Sequence, residues 1–136
     1  MVFDVKTQAI VNLTIQVLLM MTMSGAVYLV KKRYLGRHCA VMRISVLVQI
    51  IAIAGVMLPS MIGYIEHEQH RVFFNIEMLA HHALGLAVIV IGIYINLAFA
   101  GVMKIWGRLV SAMRLALALW ILALVIGLHM YLIIWI

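Results

Sequence analysis

Four long, continuously apolar runs, at about residues 9–30, 40–63, 77–102 and 111–135, constrain this chain more than any other feature. Each reaches or approaches the ~20 residues needed to cross the hydrocarbon core of a bilayer. The runs lack the alternation of a membrane β-barrel. A helix satisfies its backbone polar groups without water, so the runs predict four membrane-spanning α-helices. Composition agrees: 68% of the 136 residues are hydrophobic and only 10% charged, with mean hydropathy +1.21. Soluble domains are about 45–50% apolar and ~25% charged.

The connections are short, which makes successive helices antiparallel neighbours. The expected fold is all-α and integral to the membrane: one domain over 1–136, a four-helix up-down-up-down bundle with both termini outside. A net charge of +6 would suggest nucleic acid in a soluble protein, but here its distribution encodes orientation. Lys31, Lys32, Arg33, Arg37 and Arg43 flank the first connection, and Lys104, Arg108 and Arg114 the third. Eight of the ten basic residues therefore share one side, and the positive-inside rule makes it the cytoplasmic face of the cell membrane. The first span has no basic segment before it, so it reads as a retained helix rather than a signal peptide. The single cysteine, Cys39, excludes an intrachain disulfide, and no Cys-x-x-Cys-His sequence is present for covalent haem attachment.

The histidines carry the functional argument. At a rise of 1.5 Å per residue, His81 and His82 lie roughly 6–8 Å below the outer end of span three. His129 lies roughly 10 Å below the same face on span four. Ionisable groups at such depth are functional candidates by default. Two imidazoles from neighbouring helices can be the axial ligands of a haem b, and saturating the iron in this way favours electron transfer over oxygen chemistry. His82 follows a 3–4 spacing with Gly85, Ile89 and Gly92, while His81 and Gly85 are also an i,i+4 pair. The choice between the rings stays open, with a lean to His82 and His129 as the iron ligands. Gly85 and Gly92 would give clearance for a flat macrocycle, although small residues also serve helix packing.

Other residues offer alternatives. The outer loop EHEQH, residues 66–70, could bind copper or zinc through His67 and His70, or could simply be a solvated loop. On the opposite side, His38 with Met113 would hold a second haem. Gln49 and Asn96 could meet a quinone head group or bond between helices. Pro59 is expected to kink span two. With no nucleophile beside a base and no glycine-rich phosphate loop, a self-contained hydrolase or kinase is not expected.

These residues carry a resemblance. RHCAVM (37–42), MLAHHALGLA (78–87) and the last span after its basic segment, with Trp120, Gly127 and Tyr131, are similar to small four-span membrane proteins associated with cytochrome oxidase maturation. The similarity covers about 37–136. That family's histidine in the basic segment before the last span is missing here, and His129 lies outside its pattern. The His82 and His129 combination resembles the haem anchors of b-type membrane cytochromes instead. The resemblance implies a respiratory-membrane setting, with a redox partner protein or larger respiratory complex, or a homo-oligomer. The expected function is electron transfer through haem b. The alternatives are an assembly factor for a haem-copper oxidase and an accessory subunit of a copper-dependent membrane enzyme.

Overall fold

A computed structural model describes residues 4–67 and 72–136. All regular structure among these residues is helical: α1 (Val5–Lys31), α2 (Leu35–Ala52), a π-helical turn (Ile53–Met57), α3 (Leu58–His67), α4 (Val72–Phe99) and α5 (Leu109–Trp135). With α2, the π turn and α3 forming one continuous rod, four helical segments are long and apolar enough to cross a membrane: Lys6–Lys31, Leu35–Gly63, Asn75–Phe99 and Leu109–Trp135. The chain divides into two compact units, Met1–Gln69 and His70–Ile136, and each is a helical hairpin.

In the first hairpin, one face of α1 carries Asn12, Gln16, Leu19, Met23 and Ala26 at 3–4 spacing. It packs on Ser45, Gln49 and Ala52 of α2 and on Met57. Gln16, Gln49 and Ser45 find partners inside the hairpin, whereas Asn12 Oδ1 is buried without one. Gln16 Nε2 donates to Gln49 Oε1 at 2.8 Å, with both side chains buried. The Ser45 hydroxyl donates to the Val41 carbonyl of its own helix. Gln49 thus makes the interhelical bond that was one of its two expected roles.

The expected irregularity at Pro59 takes a specific form. Pro59 has no N–H to donate to the Gly55 carbonyl, and its ring crowds that turn. The preceding residues widen into a π turn, in which the Leu58 N–H reaches the Ile53 carbonyl, five residues back. π turns of this kind are a recognised source of helix bending.

Helix ends differ from the apolar runs by a few residues. The second span starts at Leu35 rather than 40, because Arg37 and Arg43 extend from an otherwise apolar helix without breaking its backbone pattern. Span three ends earlier than expected, at Phe99, because Gly101 turns the chain with φ 73°. There the Gly101 N–H meets the Ala98 carbonyl and the Val102 N–H meets the Leu97 carbonyl, a Schellman closure. The α1 terminus closes identically, with Arg33 N–H on Val30 O and Tyr34 N–H on Leu29 O. Its left-handed residue, however, is Arg33 at φ 63°.

A side chain in the left-handed region costs about 1–2 kcal/mol relative to the right-handed one, and a glycine loses part of that gain to unfolded-state entropy. Arg33→Gly is therefore expected to stabilise the purified protein by about 0.5–1 kcal/mol in a detergent unfolding titration. An unchanged midpoint would show that the Arg33 conformation is unstrained. A double-mutant cycle on Gln16→Leu and Gln49→Leu should return a coupling of about 1 kcal/mol; purely additive effects would deny the amide pair a stabilising role.

Candidate functional site

The histidines singled out on spans three and four all belong to the second hairpin. Its helices α4 and α5 are joined by residues 100–108, and the connection folds back so that the Trp106 N–H donates to the Tyr94 hydroxyl at 2.8 Å. Contacts between Glu77 and His129, and between His81 and Ala123, show that the two helices run antiparallel. On α4 the buried stripe is His81, Gly85, Val88 and Gly92, at i, i+4, i+7 and i+11. It faces the stripe on α5 that includes Trp120, Ala123 and Met130.

His81 heads the buried stripe, so it is the histidine that points into the α4–α5 contact. Its Nδ1 lies 2.8 Å from the Ala123 carbonyl oxygen of α5. A carbonyl only accepts, so Nδ1 carries the hydrogen, and the neutral ring keeps its free lone pair on Nε2. The ring sits where a side chain at Gly127 would otherwise be. A Cβ placed on Gly127 would come within 2.8 Å of His81 Cε1 and 3.2 Å of Nδ1. Gly127 is therefore the seat for this imidazole.

His82 is turned about 100° around α4. Its Nδ1 lies 2.7 Å from the Met78 carbonyl of its own helix, one turn back. The same reasoning puts its hydrogen on Nδ1 and leaves Nε2 free. The two rings meet edge to face, with centroids 5.4 Å apart. His82 is half-buried and does not share the Gly127 seat.

His129, on α5, lies opposite Glu77, one helical turn from His81 in the antiparallel register. Its Nδ1 is 2.9 Å from Glu77 Oε1; His129 is 53% exposed and Glu77 only 16%. With the carboxylate ionised, Nδ1–H donates to it and Nε2 again stays free. The second carboxylate oxygen, Glu77 Oε2, is buried and without a hydrogen-bond partner.

The three imidazoles thus share one arrangement: Nδ1 held by an oxygen acceptor and Nε2 unassigned. Proteins orient metal-ligating histidines in this way, and a carboxylate on the far nitrogen also raises the basicity of the ligating one. Clearance exists on α4, where a Cβ at Gly85 would meet nothing within 4 Å. The α4–α5 contact itself is filled at Gly127 by His81. Among the described residues no three His, Cys, Asp or Glu side chains gather as a metal-holding group; a haem needs only two.

The remaining candidates are each described within their own hairpin. His38 Nδ1 lies 2.9 Å from the Ala26 carbonyl of α1, within the first hairpin. Met113 is half-buried on α5 in the second. Asn96 donates to the Gly92 carbonyl one turn back on its own helix. His70 and the side chain of His67 lie outside the described residues.

Two residues that matter were not singled out for these roles in the sequence. Glu77 stands one helical turn before His81, and that spacing was the available signal. Gly127 read as part of a family-like pattern, and its proximity to His129 was the available signal.

Gly127→Ala is expected to displace the His81 ring and destabilise the protein by about 1–3 kcal/mol, as overpacking does. The same substitution in a His81→Ala background should cost much less, because the ring is gone. Equal losses in both backgrounds, measured by thermal unfolding in detergent, would show that Gly127 is not the seat of His81. No family model, curated protein or solved structure matches this chain.

Proposed function

We propose that this chain is a membrane-embedded electron-transfer protein or respiratory-complex subunit that holds one haem b in its second hairpin, with His82 and His129 as axial ligands. The observation that carries the reading is the common state of the histidines, with Nδ1 bound to oxygen and Nε2 free. With His81 committed to Ala123 and Gly127, His82 and His129 are the pair available to a ligand. The open space beside Gly85 supports the same assignment.

A haem bound there would supply one reversible electron at an iron with no open position. The chain's own residues perform the rest. The Met78 carbonyl and the Glu77 carboxylate fix the two imidazoles in the required tautomer. The Glu77 negative charge strengthens His129 as a donor and favours the more positive oxidation state of whatever it ligates. The apolar helices exclude water. The basic connections would face the cytoplasm and both termini the outer side. The redox partner would be a membrane quinone or a larger complex. The competing reading, an assembly factor for a haem-copper oxidase, rests on the sequence resemblance alone, and a copper role would rest on the EHEQH loop.

The test is a reduced-minus-oxidised visible spectrum of protein purified after expression with haem supplied. A b-type spectrum is expected, lost in His82→Ala and His129→Ala and retained in His81→Ala. Glu77→Gln should bind haem about tenfold more weakly and show a higher midpoint potential. Folded but colourless wild-type protein would overturn the haem reading and favour the assembly role.

A further inference from the structure

The first hairpin carries a concentration of charge that its own residues do not balance. Lys31, Lys32, Arg33, Arg37 and Arg43 fall within thirteen residues around the α1–α2 turn, all exposed. Among the described residues, none of the five is paired with a carboxylate. Within this hairpin the acidic residues are Asp4, Glu66 and Glu68, all more than twenty residues along the chain from the turn.

The aromatic side chains mark where the membrane interface lies. Lys32 Nζ stands 5.8 Å from the centre of the Tyr28 ring, and the Arg37 guanidinium 5.3 Å from that of Tyr34. Both tyrosines are more than half exposed, and exposed tyrosines at span ends occupy the headgroup level. Measured from Tyr34, Arg43 lies about 13 Å further along α2. It is therefore carried towards the acyl chains.

Arg43 also faces the lipid. Gly36, Ala40, Arg43 and Leu47 lie at i, i+4, i+7 and i+11, and all four are exposed, as is Ile44 beside them. A guanidinium on this stripe must reach back to the interface and find a counter-charge there. The path it takes is clear of bulk. Ala40 has a single methyl group, and a Cβ at Gly36 would meet nothing within 4 Å. The stripe thus forms a shallow channel from the headgroup level down to Arg43, with the remaining cations of the turn around its mouth. The occupant that matches these features is amphiphilic: a phosphodiester at the height of the channel, with acyl chains running down along Leu47 and past Ile51, which is also exposed. Arginine's planar fork pairs with phosphate oxygens through two parallel hydrogen bonds.

We infer that the α1–α2 turn is a binding site for one anionic phospholipid headgroup, whose phosphate pairs with Arg43 across Gly36 and Ala40, with the cations of the turn completing the field. The site is independent of the haem assignment.

The experiment is native mass spectrometry of the purified chain equilibrated with phosphatidylglycerol and phosphatidylcholine in mixed micelles, reading the ratio of retained lipids. Wild type should prefer phosphatidylglycerol. Arg43→Gln should lower that preference about fivefold, the factor that corresponds to one surface charge. Gly36→Leu should lower it by filling the channel without changing the charge. Lys104→Gln, which removes an equal charge from the other hairpin, should leave it unchanged. Circular dichroism confirms that each variant stays helical. The inference is overturned if Arg43→Gln keeps the wild-type preference. It is likewise overturned if Lys104→Gln reduces the preference as much, since the effect would then be the general field of a basic protein. Full retention in Gly36→Leu would deny the channel.

Discussion

Hydrocarbon offers no hydrogen-bond partner, and the rest of this structure depends on that constraint. It forces the backbone into helices, and it also governs the side chains. Thr14, Thr22, Ser24 and Ser45 each return their hydroxyl to a carbonyl one turn back in their own helix. The Gln16 and Gln49 amides meet each other. His38 and His81 each take an alanine carbonyl from the neighbouring helix of their hairpin, Ala26 and Ala123 respectively. A group with no such outlet stands out in this setting, and Glu77 Oε2 is one.

The histidine bonds have a chemical consequence beyond stability. A backbone carbonyl accepts but cannot donate, so each bond selects a tautomer and assigns the other ring nitrogen a free lone pair. A carboxylate does the same with greater basicity transferred to the ring. In the second hairpin this ordering spans two helices within about one turn of depth. A cofactor ligand and a packing histidine therefore look alike in hydrogen bonding. What separates His81 from His82 is the seat at Gly127, which engages one ring and not the other.

Charge works differently in the two hairpins. At the α1–α2 turn, a left-handed arginine ends one helix, and Arg37 and Arg43 stand exposed in the next, so cations cluster around the turn. The α4–α5 connection is longer, ends its helix with Gly101, and is pinned by the Tyr94 hydroxyl through the Trp106 amide. The same terminal closure is thus built once with glycine and once with a strained cation. The second choice is understandable where positive charge is needed at the membrane surface.

The sequence by itself determined the helical class and the four membrane-capable spans, because apolar length and backbone satisfaction are local properties that need no partner. It also located the irregularity near Pro59, since a missing N–H is written in the residue type, and it placed His81, His82 and His129 at related depths by simple rise. Tertiary structure decided what depth cannot: which ring enters the α4–α5 contact, that Gly127 rather than Gly85 receives it, and that Glu77 is the partner of His129. Those outcomes depend on the rotation and register of one helix against another. They are set by close packing between residues some forty to fifty positions apart, and no periodicity within a single span records them.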